Sequence, residues 1–394
     1  MTSRPLLIDD DRYSRLQLIA WWDQQKLSNA RVLVVGAGAL GNEVLKNLAL
    51  MGVGQVYIID FDEIEESNLT RSVLFRKRDC GRSKAETAAE ALADLNPDVT
   101  TVPMMANVLT EVGLGLISEM DVVVGCLDNR EARLWVNRMC WKTETPWVDG
   151  GIQEINGVVK VFVPPDSACY ECAMTENDYK LINLRYSCPL LPKEDILAGK
   201  VPTAPTISSI IAGMQTQEAL KLIHDMPVDA GKIMVFNGVT NQFYSTAIQH
   251  REDCLSHETF PEPTASGLSA ETTTVGELFD WVKQQWGDDD YTLELDRDLV
   301  VRLVCHKCSQ ERRVMKPLPS VVHSEAICAG CGDVMQPERT HRVGPQDGVS
   351  DQVLRNVGIP AYDIVRIAAN NVRHYVLLDG DRDAVISDGG PSAS

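Results

Sequence analysis

Residues 31–62 read RVLVVGAGALGNEVLKNLALMGVGQVYIIDFD, and few folds accept that order. Arg31–Val35 is a β-branched run suited to a strand buried on both faces. It breaks at Gly36-Ala-Gly38-Ala-Leu-Gly41, passes into a stretch of helical periodicity, and returns to a second apolar run at Gln55–Ile59. Strand, glycine turn, helix and strand open a doubly wound α/β sheet of the Rossmann type. Gly36 and Gly38 permit a tight turn and close phosphate approach, while Gly41 lets the helix pack on the strand. Asp60 ends the second strand, where an acid commonly holds a ribose hydroxyl. This much suits any nucleotide enzyme, a dehydrogenase included.

The sheet has material to continue. Met120–Asn129 is another buried run ending in a polar Asp128-Asn129, and PWVDGGI and GVVKVFVPP read as strands. Thr206–His224 has the period of a packed helix, and KIMVFNG follows as a strand. Residues 1–258 are therefore expected to form the first domain. Residues 259–271, rich in Pro, Thr and Ser, are expected to be a linker. Beyond it, TTTVGELFDWVKQQW reads as a capped helix, YTLELDRDLVVRLVC as a strand pair, and DQVLRNVGIPAYDIVRIAANNVRHYVLL as a short helix and two strands. A small α+β domain over 272–384 is the expectation, followed by a disordered tail at 385–394 that includes Gly389-Gly390. Within that domain, Cys305-x2-Cys308 and Cys328-x2-Cys331, separated by 19 residues, form a complete zinc-ribbon set.

Charge and cysteine usage exclude several classes. A net charge of −19 and a pI near 4.8 argue against a nucleic-acid grip, which needs a basic face. No apolar run approaches the length of a membrane span and Met1–Leu18 has no leader pattern, so a soluble, cytoplasmic protein without membrane contacts is expected. In that compartment the 11 cysteines read as thiols and metal ligands rather than disulfides. Cys126 and Cys140 sit in apolar patterns and read as core residues, and Cys80 as passive.

The stretch Asp60–Pro97 narrows the chemistry. After the ribose acid come Ser67-Asn68-Leu-Thr-Arg71 and then Gly81-Arg-Ser-Lys84 ahead of a helix. A dehydrogenase needs no Arg and Lys aimed at a triphosphate. An adenylating enzyme does, because charge builds on the departing pyrophosphate.

From Arg12 to about His257 the chain resembles the ubiquitin-activating enzymes and their bacterial relatives, the sulphur-carrier adenylyltransferases. The resemblance implies an ATP site lined by Gly36, Gly38 and Gly41. Asp60, with Asp62 beside it, would take the ribose, and Asn68, Arg71 and Lys84 would grip the phosphates. Asp128, followed by Asn129, would be the Mg²⁺ ligand. Arg15, in RYSR, matches the arginine that reaches the neighbouring subunit's ATP, implying a homodimer. The implied reaction joins the C-terminal glycine carboxylate of a ubiquitin-like protein to AMP, releasing pyrophosphate.

The resemblance also completes the pair Cys169-x2-Cys172. In the family a second pair after the last strand closes a zinc site with the first, and here Cys254-x2-His257 stands in that place. The residues alone leave a redox-active pair open, although the setting lacks the helix N-terminus that lowers a thiol pKa. Relatives that pass their cargo onward carry a nucleophilic cysteine in a crossover loop, here about 173–204. Cys188 is the match, although in some relatives the cysteine falls at the position of Lys200. Such relatives also append a ubiquitin-fold domain that recruits a conjugating enzyme, and the region after 272 is similar to it, with the ribbon at 305–331 inserted. By analogy, some bacterial activating enzymes of this type serve conjugation operons in defence against phage. Two other readings stay open: a sulphur-carrier adenylyltransferase without a thioester, and a non-catalytic scaffold.

Overall fold

The computed structural model describes residues 11–187, 202–287, 291–369 and 372–387. Five parallel strands build the first sheet: β1 (Arg31–Val35), β2 (Gln55–Ile59), β3 (Thr100–Met104), β4 (Val122–Gly125) and β5 (Trp147–Gln153). Three antiparallel strands extend it: β6 (Asn156–Phe162), β7 (Lys232–Asn237) and β8 (Gln242–Ala247). The order β3-β2-β1-β4-β5-β6-β7-β8 reverses between β1 and β4. In doubly wound sheets that reversal opens a crevice at the carboxyl ends of the strands.

The β-branched runs are buried on both faces. Val32 and Val34 enter one core with α2 (Ala39–Met51), α3 (Lys84–Leu95) and α7 (Pro205–Ile223). Leu33 and Val35 enter the opposite core with α4 (Leu114–Ser118) and α5 (Arg130–Lys142), where Trp141 and Trp147 are fully buried. A short α1 (Gln24–Asn29) precedes β1, and α6 (Glu176–Ser187) lies within the stretch expected as the crossover loop. Among the described residues no helix is long and apolar enough to cross a membrane.

A second sheet follows. It comprises β9 (Thr264–Ala265), β10 (Tyr291–Val304), β11 (Glu311–Pro317), β12 (Gln336–Val343), β13 (Ile364–Ala369) and β14 (Val372–Leu377). α8 (Val275–Trp286), with a Thr274/Glu277 capping box and Gly287 in the left-handed conformation after it, packs Leu278, Phe279 and Val282 on this sheet. The stretch read as a linker holds β9, which pairs parallel with β14. YTLELDRDLVVRLVC is one strand rather than a pair. Its central acids do not break it, because Asp296 meets Lys142 at 2.5 Å and Arg366 at 2.7 Å, and Asp298 meets Arg339 at 3.0 Å. The expected disordered tail begins with ordered chain: Ile386 is buried in the α4/α5 core and the Ser387 N–H donates to Tyr57 Oη. Gly389-Gly390 lies outside the described residues.

The two sheets meet along α4. A Cβ on Gly113 or Gly115 would come within 2.5 Å of carbonyl oxygens at 361–362, so only glycine allows this approach. Glu119 receives Arg382 Nε at 2.7 Å and Nη2 at 3.0 Å, Arg31 at 2.5 Å, and the Tyr362 hydroxyl at 2.6 Å. Desolvation pushes the Glu119 carboxyl up, but hydrogen bonds from Arg382 and Tyr362 and the arginine charges outweigh it and hold it below its ordinary value. A depressed folded pKa means stability that is present above the ordinary carboxylate value, about 4.3, and lost as pH falls through the lower folded value. Glu119→Gln should therefore cost about 1.5–3 kcal/mol near neutrality. The gap in melting temperature from wild type should close as the pH is lowered past that window.

Candidate functional site

The glycine turn is built by sterics. Gly36 has φ +99°, and a Cβ there would lie 2.5 Å from the Cys126 carbonyl oxygen. A Cβ on Gly41 would lie 1.9 Å from the Gly36 carbonyl oxygen. Gly38 differs: nothing lies within 4 Å of its missing Cβ and its φ is ordinary. The protein itself does not demand glycine there, so the bare backbone leaves room on the ligand side. Gly38 is also the N-cap of α2 without offering a side-chain acceptor, so the first amides of a 13-residue helix point at that space. An uncapped helix start suits phosphate.

Asp60 braces this turn. Its Oδ2 accepts the Ala37 N–H at 2.7 Å and its Oδ1 the Asp62 N–H at 2.8 Å. Burial pushes its carboxyl above the ordinary value despite the Lys84 charge and both amides. Lys84, first residue of α3 behind the Ser83 cap, donates its ammonium to Asp62 Oδ2 at 2.8 Å. The structure thus brings Asp60, Asp62 and Lys84 together beside the glycine turn. Asn68 and Arg71 occupy the next loop, and each is held by its own turn: Asn68 accepts the Glu65 N–H at 2.9 Å and Arg71 donates to the Ser67 carbonyl at 3.1 Å. Asn42, fully buried and unremarked in the sequence, ties this loop to the site. It donates to the Ala37 and Gly38 carbonyls and accepts the Leu74 N–H. Its signal was a polar residue on the apolar face of α2.

Across the crevice, the loop after β4 carries Asp128. A lone Asp there could have been an ordinary helix cap. Instead Asn129 caps α5, accepting the Ala132 N–H at 2.8 Å, and leaves Asp128 exposed with one contact from the Asn129 amide at 3.2 Å. The freed carboxylate fits Mg²⁺, which takes one or two carboxylates together with substrate phosphates. Cys126 contacts the glycine turn, and burial pushes its thiol up, as it does for Cys140. Cys80 is exposed. Arg15 is exposed at the start of a short helical turn. Cys188 and Lys200 lie outside the described residues.

The cysteine pairs resolve into two clusters, each with its ligand atoms all within 4.8 Å of one another. In the first, Cys169 Sγ lies 3.7 Å from Cys172 Sγ and 3.5 Å from Cys254 Sγ, and Cys172 Sγ lies 3.4 Å from His257 Nε2. Thiolates about 2.3 Å from a tetrahedral metal stand about 3.8 Å apart, so the donor set fits one ion. Glu171, buried inside the knuckle, joins its halves: it pairs with Arg138 at 2.8 Å and accepts from Tyr179 and Ser256. The second cluster sets Cys305 3.4 Å from Cys331 and Cys308 3.4 Å from Cys328, over a small core of Val300, Leu303, Leu318 and Met335.

The ThiF family matches residues 11–256. The chain is 30% identical over 253 residues to the sulfur carrier protein ThiS adenylyltransferase of Escherichia coli, covering 64% of this chain and 92% of that protein. It is 28% identical over 266 residues to ubiquitin-like modifier-activating enzyme 5 of Dictyostelium discoideum, covering 63% of this chain and 68% of that one. Among solved structures, E. coli MccB with ATP superposes with a TM-score of 0.55 at 27% identity, over 64% of this chain and 75% of that one. A match that takes in the glycine turn, the Asp60–Lys84 cluster, the Asp128 loop and three ligands of the first clasp places this chain in the ThiF family.

Proposed function

We propose that this protein adenylates the C-terminal glycine of a ubiquitin-like protein, carries the acyl group on Cys188 as a thioester, and delivers it to a conjugating enzyme. One observation carries the adenylation step: a helix start without a side-chain cap at Gly38 and an exposed Asp128 carboxylate left out of the α5 cap stand on neighbouring loops, joined where Gly36 packs on Cys126. Phosphates would lie on the α2 amides, with Lys84, Asn68 and Arg71 turning from their present partners toward them. Asp60 would take the ribose, and Asp62, once Lys84 leaves it, would stand free beside the nucleotide. Asp128 would hold Mg²⁺, which supplies charge neutralisation on the phosphate oxygens. The glycine carboxylate attacks the α-phosphorus, the bond to the bridging oxygen breaks, and pyrophosphate leaves with the electron pair. A carboxylate needs no general base, so the residues act by position and charge. The Cys188 thiolate then attacks the acyl carbon and AMP departs.

Arg15, exposed on the N-terminal segment, would complete the site of a second copy in a homodimer. The two cysteine clusters would each hold a structural zinc. The second sheet, a helix on five longer strands with its own apolar core, supports the reading of residues 272–384 as a ubiquitin-fold-like recruiting domain. The names of the relatives allow both modifier activation and sulphur-carrier adenylation. Incubation with ATP, Mg²⁺ and a glycine-ended ubiquitin-like protein should give pyrophosphate exchange and a protein adduct that dithiothreitol abolishes. Cys188→Ala should lose the adduct and keep the exchange. Exchange without any adduct in the wild type would establish the sulphur-carrier reading instead.

A further inference from the structure

Behind the Asp128 loop lies a buried charge cluster with no part in the reaction as described. Asp149, fully buried on β5, accepts Arg133 Nε at 2.9 Å through Oδ1 and Lys160 Nζ at 2.9 Å through Oδ2. Asp149 and Lys160 are direct cross-strand partners, and the Lys160 ammonium lies 4.9 Å from the centre of the Tyr170 ring, inside the first cysteine knuckle. The other arm of Arg133 donates to two backbone carbonyls, Leu127 O and, at 2.9 Å, Gly150 O. Leu127 is the residue before Asp128.

Burying three charges is a poor route to stability, since apolar residues of similar volume often serve as well or better. A guanidinium fork, however, can fix two carbonyls and a carboxylate in one plane, which neither lysine nor an apolar side chain can do. We infer that Arg133 is a positioning residue for the Asp128 loop. It ties the Leu127 carbonyl to the end of β5 and so sets the direction of the adjoining carboxylate, while Asp149, itself held by Lys160, braces the fork from behind. The cluster also connects that loop to the knuckle through Tyr170. The Mg²⁺ role given to Asp128 rests on the function proposed above; the aiming of its loop rests on the hydrogen bonds alone.

Positioning and mere support are separable with two variants of the full chain. Arg133→Lys keeps a cation for Asp149 but cannot reach both carbonyls; Arg133→Gln loses the charge as well. ATP affinity would be measured by calorimetry across a Mg²⁺ series, beside pyrophosphate exchange and thermal unfolding. Loss of a group that orients a metal ligand typically costs about 10–100-fold in metal affinity, so the half-saturating Mg²⁺ concentration should rise at least about tenfold in both variants. Arg133→Lys should regain most of the melting temperature lost in Arg133→Gln without regaining the Mg²⁺ response. An unchanged Mg²⁺ dependence in Arg133→Lys, or one that recovers in step with melting temperature, overturns the inference, and this variant decides the matter if Arg133→Gln fails to fold. A wild type that binds ATP in a Mg²⁺-dependent way but never exchanges pyrophosphate would sink the proposed function while the calorimetry still tests Arg133.

Discussion

Asp128→Asn should lower ATP–pyrophosphate exchange by about 10²–10³-fold, the scale of losing one preorganised electrostatic contact to a transition state. The substitution keeps shape and removes a charge, so the effect isolates the metal-holding role. Stability should stay within about 0.5 kcal/mol of wild type, because the position is exposed, does not cap the helix, and an asparagine oxygen still accepts from the Asn129 amide. The reason is specific to this loop: Asn129, not Asp128, caps α5 and binds the Ala132 amide. Had Asp128 been the cap, its replacement would have weakened the helix and confounded the reading. Exchange kinetics over a Mg²⁺ series, beside a melting curve, check both halves. Near-normal exchange at all Mg²⁺ concentrations would place the metal ligand elsewhere, and the proposed site would need rebuilding.

Cys254→Ser should cut bound zinc from two per chain to about one and destabilise the first sheet severely. Cys169, Cys172 and Cys254 are all buried, within the core that also holds Trp141 and Trp147. Without an ion there, the thiols stand crowded in an apolar setting and the chain around Cys169–Cys172 loses its metal-mediated tie to the chain after β8. Several kcal/mol should be lost, a large share of a domain's usual stability of about 5–15 kcal/mol. If the variant does not accumulate, His257→Cys gives the test another route: four thiolates still fit a tetrahedral zinc, so two ions should remain and melting should change little. Cys308→Ser provides the contrast. That residue is exposed and its cluster sits on a separate small core, so one zinc should leave with little change in the unfolding of the first sheet. Two zinc ions surviving Cys254→Ser would refute the pairing of Cys169 and Cys172 with Cys254 and His257.

Much of the site was legible because it is made of short-range patterns. The glycine spacing 36-38-41 and the β-branched runs around it fix a strand–turn–helix unit locally, and the order of Asn68, Arg71, Lys84 and Asp128 then marks one chemistry among many. Both cysteine sets could be paired from spacing and resemblance, since a metal's four places must be filled. Less visible were residues whose work depends on distant neighbours. Asn42, Glu171, Arg133 and Asp149 look like ordinary polar positions until the sheet brings their partners beside them. YTLELDRDLVVRLVC read as a strand pair, but partners on α5, β12 and β13 neutralise Asp296 and Asp298 and let one strand run through.

The sequence by itself determined the Rossmann-type sheet, the candidate phosphate-gripping set and the four-cysteine set at 305–331, because periodicity, glycine sterics and ligand spacing act over few residues. The pairing of Cys169 and Cys172 with Cys254 and His257, 85 residues away, came from the family resemblance. Tertiary structure alone decided that Asp128 is free of capping, that β9 closes the second sheet, and that α4 docks against it through Gly113, Gly115 and Glu119. Those outcomes follow from which buried polar groups find partners across the chain, and that matching exists only once the fold has formed.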